Sequence, residues 1–415
     1  MSYFRGEVNY TLAGYVCKIL TVFFNKKPAE FMKYILQEEN SRMVLDHCES
    51  RSVGELIIKI LTHESTLSLE ERSGFFKMVL EKLSSSSEIY VMSNLSSYVC
   101  EVIEKIAANL KGNNKVPELQ EAFFSLEVIT QVIKNVMSPE EHVSIYNAPI
   151  LFAYLTNVPF VLPEDPQIIE DFKALLQDFV DKSVEKLQVS SRDRPKLGTG
   201  RVKIVEIIRF ILKENILNSR EIVAKSENFF PTLIRLVREY QWNNLLHNEV
   251  MKIVEVALTE AEESPLNVSL LKDGVLSKFI LEETQEDRKI KAGDSVYKSR
   301  KGYIAHVTNL ALKMRELAEK NNKVKEVVEG KGLSYVGAEF SDVYESFVEK
   351  EVFKNRKTLA GYSMRKDIKH EILFQKEVHL PPFRTSLPLT PLSSRSAPPQ
   401  SSRLSPNTST SSTPT

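Results

Sequence analysis

The sequence predicts an all-α protein built as a HEAT- or armadillo-like helical-repeat solenoid. Apolar residues recur at helical spacing from about residue 11 to about residue 355, and strand-like alternation is almost absent. Glycine is scarce, at 14 of 415 residues. Many short amphipathic helices in series, without strand–helix–strand alternation, are typical of an α-solenoid whose units have diverged. The alternative is a large helical bundle, which needs longer helices that meet in one centre.

Several helices carry their own start signals. A proline at the first helical position is predicted at Pro28, Pro117, Pro139 and Pro166, with Ser138 and Asp165 as N-caps before the last two. After Asp165, apolar residues keep helical spacing from Ile168 to Leu187. The whole chain is expected to hold roughly fifteen to eighteen helices.

The composition is that of an ordinary globular protein, with 42% apolar and 27% charged residues. The 55 Lys and Arg residues balance the 55 Asp and Glu residues, which argues against a general nucleic-acid or membrane-surface binder. Three widely spaced cysteines suit a reducing compartment. The first residues contain no apolar signal-peptide core, and no apolar run approaches the roughly 18 residues of a membrane span. We therefore expect a cytoplasmic or nuclear protein.

The end of the chain differs from the rest. We assign residues 1–361 to the helical domain, 362–380 to a linker and 381–415 to a tail. The tail is rich in Ser, Thr and Pro, has three arginines and no acidic residue, and is expected to be disordered. Its three Ser/Thr-Pro steps make Thr390, Ser405 and Thr413 candidate phosphorylation sites, whose modification would turn the tail net negative.

A search for catalytic motifs finds no phosphate-binding glycine loop, zinc-protease motif or serine-hydrolase elbow. The seven histidines stand singly, and no Cys/His pair has metal-ligand spacing. We predict a protein that is not an enzyme and that binds no cofactor or metal.

The stretch EYQWNNLLHNEVMKIVEVAL (239–258) contains the single tryptophan. A helical apolar stripe is predicted from Trp242, Leu245, Leu246, Val250, Ile253, Val254, Ala257 and Leu258. Asn244, His247, Asn248 and Lys252 are placed on a different face, which points toward water or a partner. Ordinary helix physics makes the histidine a capping or inter-helix hydrogen-bonding group more readily than a ligand.

A second helix of this kind is predicted in RKGYIAHVTNLALKMRELA (300–318). Its apolar stripe is Tyr303, Ile304, Val307, Leu310, Ala311, Met314 and Leu317. Gly302, His306, Asn309 and Lys313 line another face. Each of the two helices thus pairs an aromatic residue near its start with a polar strip that bears a histidine.

The stretch before this helix, RKIKAGDSVYKSRK (288–301), carries six basic residues and one Asp. It is read either as a solvated loop between two helices or as a docking edge for an acidic partner surface. The acid pairs Glu262–Glu263 and Glu282–Glu283 are interpreted as solvated helix ends.

Three segments in this order and spacing resemble the SAPS-domain family, which comprises regulatory subunits of protein phosphatase 6 and its yeast counterpart. They are LGTGRVKIVEIIRFILKEN (197–215), FFPTLIRLVREYQWNNLLHNEV (229–250) and SRKGYIAHVTNLA (299–311), with a weaker likeness over residues 14–361. The family pattern falls on Leu197, Gly198, Arg201, Asn243, Asn244, Leu246, His247, Arg300, Lys301, Gly302, Tyr303 and His306. From these positions and the neighbouring indole we take Trp242, Asn243, Asn244, His247, Arg300, Lys301, Gly302, Tyr303 and His306 as partner-binding candidates.

The resemblance implies a non-catalytic scaffold subunit that holds a protein phosphatase 6-like catalytic subunit and directs it to substrates. An ankyrin-repeat protein is a further partner that the family implies. Family members normally carry additional helices before the segment that matches Gly14. Either residues 1–25 supply the polar cap that a solenoid needs, or the chain is incomplete. The competing hypothesis is a helical-repeat adaptor in trafficking or transport that binds no phosphatase.

Overall fold

The computed structural model describes residues 9–111, 117–162, 165–189, 196–291 and 301–329. All of them belong to one compact unit, Met1–Glu349. In this part of the chain the secondary structure is helical and contains no strand, so the all-α solenoid is confirmed. The linker, the tail with Thr390, Ser405 and Thr413, and Arg300 lie outside the described residues.

Within these ranges there are eighteen α-helices and two short 3-10 turns, Ile216–Asn218 and Lys272–Gly274. The helices are α1 Tyr10–Lys26, α2 Pro28–Ile35, α3 Glu38–Leu45, α4 Arg51–Leu61, α5 Leu69–Ser85, α6 Ile89–Lys111, α7 Pro117–Phe124, α8 Leu126–Val136, α9 Glu141–Val161, α10 Pro166–Gln188, α11 Thr199–Glu214, α12 Ser219–Ala224, α13 Phe229–Glu239, α14 Asn244–Thr259, α15 Pro265–Leu271, α16 Val275–Lys291, α17 Ile304–Ala318 and α18 Asn322–Glu329.

The helices stack in two layers. In the first layer α1, α4, α6, α9, α11, α14 and α17 contact one another in this order. The second layer runs from α3 through α5, α7–α8 and α10 to α12–α13 and α15–α16. Amphipathic helices of both layers bury their apolar faces in one continuous core that extends from Cys17 to Val324. Each helix pair therefore depends on its neighbours along the stack, as in other solenoids.

Side-chain contacts between successive units join groups 36 to 60 residues apart, and several of them span about 50 residues. Side chains bond to groups 48 to 50 residues away in the pairs Ser73–Ala122, Ser96–Tyr146, Lys186–Val136 and Arg235–Leu187. Ion pairs such as Lys77–Glu127 repeat this separation. Units of similar but unequal length therefore stack on one another, as expected for a solenoid whose repeats have diverged.

The start signals are confirmed at three of four prolines. Pro28 and Pro166 each occupy the first turn of a helix, and α7 begins at Pro117. Asp165 caps α10, because its Oδ1 accepts a hydrogen bond from the Gln167 N–H at 2.8 Å.

The fourth predicted start is wrong by two residues, because α9 begins at Glu141 with Glu140 as its N-cap. The Ser138 hydroxyl accepts the Glu140 N–H at 3.2 Å, so it closes a turn just before the helix.

Of the two alternatives for the start of the chain, a polar cap is not supplied by residues 9–25. The outer side of α1 exposes apolar side chains, with Tyr15, Ile19 and Phe23 each more than half exposed. No helix in the described residues has the length and apolar character that a membrane crossing requires.

Gly54 sets the distance between α4 and α6. A Cβ atom at this position would lie 2.1 Å from Cζ of the buried Tyr98 ring. No side chain larger than hydrogen fits unless the two helices move apart.

We therefore expect Gly54→Ala to lower the free energy of unfolding by about 1–3 kcal/mol or more through overpacking. The matched control is Gly74→Ala in α5, where an added Cβ would meet no atom within 4 Å. Helix propensity should raise the stability of this control by about 1 kcal/mol. Urea unfolding of both variants checks the account, which fails if Gly54→Ala is as stable as the control.

Candidate functional site

The turn between α13 and α14 holds the first group of candidate residues. The Asn243 N–H donates to the Tyr240 carbonyl at 3.0 Å, and the Asn244 N–H donates to the Trp242 carbonyl at 3.2 Å. The Asn243 side chain accepts a hydrogen bond from the Leu246 N–H at 3.0 Å. Asn243 is therefore the N-cap of α14, and its side-chain oxygen is engaged within the chain.

Trp242 and Leu245 are 69% and 71% exposed, which corrects the prediction that they pack with the apolar stripe. Trp242 precedes the helix, since α14 begins at Asn244, so helical spacing does not govern its direction. Leu245 lies about 100° around the helix from the buried Leu246 and points to the other side. The remaining members of the predicted stripe, Leu246, Val250, Ile253, Val254, Ala257 and Leu258, are buried.

His247 is fully buried, so its predicted place on an outward polar strip with the exposed Asn244 is wrong. It precedes Val254 by seven residues, two helical turns, and therefore shares the buried side of α14. Its Nε2 lies 2.9 Å from the Tyr240 carbonyl oxygen. Because a carbonyl only accepts, Nε2 carries the proton. Nδ1 has no hydrogen-bond partner in the described part of the chain.

The His247 ring, in the second segment, packs against two rings of the third segment. It meets the Tyr303 ring edge to face at 5.5 Å between centroids, and its centroid lies 6.0 Å from that of His306. Burial lowers the pKa of both histidines, and the proximity of His306 lowers the pKa of His247 further. The pair is therefore held in the neutral form at neutral pH.

Tyr303 is fully buried at the start of α17, as the predicted stripe required. Its hydroxyl donates to Oε2 of Glu283 at 2.8 Å, and its ring packs against Phe279. Burial, followed by the hydrogen bond to the Glu283 carboxylate, raises the pKa of Tyr303 above its ordinary value. Tyr303 therefore stays neutral and serves as a donor.

Glu283 is 4% exposed, so the prediction that this acid is solvated is wrong. Besides the Tyr303 hydroxyl, Oε2 receives the Lys301 ammonium at 2.6 Å, and Oε1 lies 3.0 Å from Nε of Arg238. Two cations and one hydroxyl thus compensate a buried carboxylate, which would otherwise be costly to desolvate.

Lys301 is the last residue of the basic stretch 288–301 and lies within the described part of the chain. Its ammonium also donates to Glu286 at 2.7 Å. Burial alone would lower the pKa of Lys301, but the hydrogen bonds to Glu283 and Glu286 raise it above its ordinary value. This lysine is engaged inside the domain, and residues 292–300 lie outside the described part of the chain.

The first segment joins the others through Arg201, which is 2% exposed. Its guanidinium donates to the carbonyls of Leu197, Lys196 and Val189 and to the Tyr240 hydroxyl at 3.0 Å. It also lies over the Tyr240 ring, 5.5 Å from the centroid. Arg201 therefore fixes the loop before α11 and the end of α13 together.

The three segments thus meet in one buried series of contacts, which we name the junction. It runs through Arg201, Tyr240, His247, Tyr303, Glu283 and Lys301. Four residues of the family pattern, Arg201, His247, Lys301 and Tyr303, thus take part in the contacts that hold α11, α13, α14, α16 and α17 together.

Gly302, next to Lys301 and Tyr303 of the junction, lies against the exposed indole of Trp242. A Cβ at Gly302 would lie 2.6 Å from the Gln241 carbonyl oxygen and 2.9 Å from Cε3 of Trp242. The Gly302 backbone thus makes close contact with one edge of the indole while the rest of the side chain faces outward. Trp242, Asn244 and Leu245, which we name the indole patch, form an exposed surface on a rigid base.

Sequence reasoning placed Glu283 on the surface and did not single out Arg238 or Tyr240. A signal for Glu283 was present, because it continues the spacing of Leu276, Phe279 and Ile280 on the buried side of α16. An acid on an apolar face requires a buried cationic or hydroxyl partner, and Lys301 and Tyr303 supply it. No comparable pattern marks Tyr240 or Arg238.

The described residues contain no group of three or more His, Cys, Asp or Glu side chains arranged to hold a metal ion. The His247 ring faces the Tyr303 ring and the His306 ring. The site therefore consists of an exposed surface, the indole patch, and the buried junction that holds it in place.

Residues 221–358 match the family described as SAPS, SIT4 phosphatase-associated protein. The match contains the second and third segments, in which the indole patch and most of the junction lie. The resemblance to the SAPS family is confirmed.

A curated relative is the serine/threonine-protein phosphatase 6 regulatory subunit 3-A of Xenopus laevis. It is 20% identical over 357 residues, which cover 73% of this chain and 41% of the relative. The chain therefore spans less than half of that relative. No solved structure matches the chain.

The neutral histidine pair makes the stability of the chain depend on pH. The pKa values of His247 and His306 lie below the ordinary 6.5 when folded. Below about pH 6.5 the unfolded chain takes up protons that the folded chain resists, so stability is lost as pH falls. We expect the urea midpoint to fall between pH 7.5 and 5.5, and to fall less in His247→Gln/His306→Gln.

His142→Gln is the control, because this side chain is 43% exposed beside Glu140. It should keep the wild-type pH dependence. Burial also lowers the pKa of His63. The stability of the double variant should therefore still depend on pH to some extent. An unchanged slope in His247→Gln/His306→Gln would contradict the account.

Proposed function

We propose that this chain is a non-catalytic regulatory subunit that binds a protein phosphatase 6-like Ser/Thr phosphatase catalytic subunit and directs it to substrates. The name of the Xenopus laevis relative and the SAPS match support this class of function. A stacked-helix scaffold suits it, because a partner held on one unit is kept close to substrates bound at another.

The observation that carries the proposal is the indole patch. A tryptophan that is 69% exposed is unusual on a soluble surface, and tryptophan is enriched among the residues that dominate binding energy. The adjacent Leu245 is 71% exposed and extends the apolar surface. A partner that covers both side chains gains the free energy of burying apolar area.

The base of the patch is already ordered. Asn243 caps α14, and the Gly302 backbone lies against the indole edge. A surface fixed before binding loses little conformational entropy when the partner arrives. The exposed Asn244 amide beside the indole can supply hydrogen bonds that orient the partner.

The junction residues contribute to binding indirectly in this proposal. Arg201, His247, Tyr303 and Lys301 are engaged within the domain, so their loss is expected to act through the position of the turn. An ankyrin-repeat partner and regulation through the Ser/Thr-Pro steps of the tail remain predictions.

The test uses the full chain and a purified protein phosphatase 6 catalytic subunit. We expect Trp242→Ala/Leu245→Ala to weaken binding roughly 30-fold or more, as loss of a dominant interface residue does. Both side chains are exposed, so thermal unfolding should stay close to wild type.

The matched control is Ile89→Ala/Tyr90→Ala, which removes two other exposed apolar side chains, at the start of α6. It should bind as the wild type does. Wild-type affinity in Trp242→Ala/Leu245→Ala would place the contact elsewhere. A wild-type chain without affinity for the catalytic subunit would overturn the proposal and favour the adaptor hypothesis.

A further inference from the structure

Helix α9 has an uncharged side that faces outward from the middle of the stack. Residues 143–161 contain no Asp, Glu, Lys or Arg. The helix lies between α6 and α11 in the first layer and packs on α8 of the second. Its remaining side exposes Pro149, Thr156 and Pro159. A helix with one side in water normally carries charged residues on that side, so this uncharged side has a use other than contact with water.

The exposed residues of α9 form a continuous strip. The side chains of Ile145 and Phe152 are partly exposed beside them. We name Ile145, Pro149, Phe152, Thr156 and Pro159 the α9 strip, and their spacing places all five within an arc of about 80°. Toward α11 the strip continues to Phe210, whose ring meets the Phe152 ring edge to face at 5.5 Å between centroids. Described helices flank the strip on both sides, so it is not an open end of the stack.

Two prolines remove backbone hydrogen bonds from the strip. Pro149 and Pro159 lie inside α9, and proline has no N–H. The carbonyls of Ile145 and Leu155, four residues earlier, therefore lack the donor that an α-helix normally supplies. Each carbonyl points along the helix axis toward its proline, whose ring is exposed. The strip thus offers two backbone acceptors that are about 15 Å apart.

These acceptors favour an extended segment over a helix as the bound partner. Beyond its first turn a helix uses its own N–H groups in internal hydrogen bonds. An extended chain presents an N–H on the same side at every second residue. The first and last N–H of five extended residues are about 13 Å apart, which is close to the separation of the two acceptors.

The charges around the strip favour an uncharged segment. A charged side chain laid on α9 would lose hydration and gain no ion pair from this helix. On the neighbouring helices, Lys105 pairs with Glu101 at 2.9 Å and Lys203 pairs with Glu206 at 2.7 Å. The exposed Glu104 of α6 disfavours an acidic segment in addition.

We propose that the α9 strip binds an extended, uncharged segment of a partner protein. Its N–H groups donate to the carbonyls of Ile145 and Leu155, and its apolar side chains pack on Phe152 and Phe210. The site lies on a different helix from the indole patch and does not rest on the phosphatase proposal, so each proposal can fail alone.

The test measures binding of fluorescent ten-residue peptides to the full chain by anisotropy. The probe peptide alternates Val and Thr. One copy has every backbone amide N-methylated, and a second copy has Lys in place of Thr. We expect the probe to bind at least tenfold more tightly than either copy, because the first copy has no donors and the second brings charges onto the strip.

Replacing the two prolines tests the acceptors directly. Pro149→Ala/Pro159→Ala supplies the missing N–H groups, which re-form the helical hydrogen bonds to Ile145 and Leu155. This variant should bind the probe at least fivefold more weakly, while its thermal midpoint should not fall. The matched control is Pro231→Ala, which removes an exposed proline from the first turn of α13, where no carbonyl of the helix loses its donor. It should keep the wild-type affinity.

A charge placed in the strip gives a second test. Thr156→Glu should abolish binding of the probe, whereas Thr259→Glu, at the exposed end of α14, should leave it unchanged. Both residues are exposed, so a thermal unfolding curve like that of the wild type shows that the domain is intact. Binding of the phosphatase catalytic subunit should be unchanged in both variants.

Four results would overturn the proposal. The first is a wild-type chain that does not bind the probe, or that binds its N-methylated copy equally well. The second is wild-type affinity in Pro149→Ala/Pro159→Ala. The third is tighter binding of an 18-residue amphipathic helical peptide that Thr156→Glu loses, which would assign the strip to a partner helix. The fourth is a wild-type chain that sediments as a dimer and becomes monomeric in Thr156→Glu, which would assign the strip to a second copy.

Discussion

The buried carboxylate of Glu283 is the constraint on which this part of the molecule depends. A charge that is 4% exposed must be compensated, and Lys301, Tyr303 and Arg238 converge on it from two other segments. Their convergence fixes the start of α17 against α13 and α16. Because Tyr303 also packs on His247, the same constraint reaches α14 and the turn before it.

This arrangement explains why so many polar residues of the SAPS pattern have little exposed surface. Arg201 and His247 donate hydrogen bonds to the carbonyls of Val189 and Tyr240, where α10 and α13 end, a task that apolar side chains cannot perform. What the network leaves outside is the indole patch, held by the Asn243 cap and by the Gly302 backbone. Because the residues beneath the indole are held in place by this network, the exposed aromatic surface is ordered before any partner binds.

The fold was predictable because each helix carries local information. The Asp165–Pro166 start and the regular stripe of α10 depend on nearest neighbours along the chain, and so does the stripe from Tyr303 to Met314. The burial of His247 and Glu283 was not predicted, since it depends on which helices stand on either side of α14 and α16. Trp242 was misplaced because α14 begins two residues later than its apolar pattern indicated.

The single tryptophan allows the central claim to be tested directly. A chain labelled with 5-fluorotryptophan has one fluorine, at Trp242, whose resonance can be followed in a stoichiometric complex with the catalytic subunit. The account predicts a solvent-sensitive resonance in the free chain that shifts and loses its sensitivity to D₂O on binding. A resonance that keeps its position and solvent sensitivity in the saturated complex would contradict it.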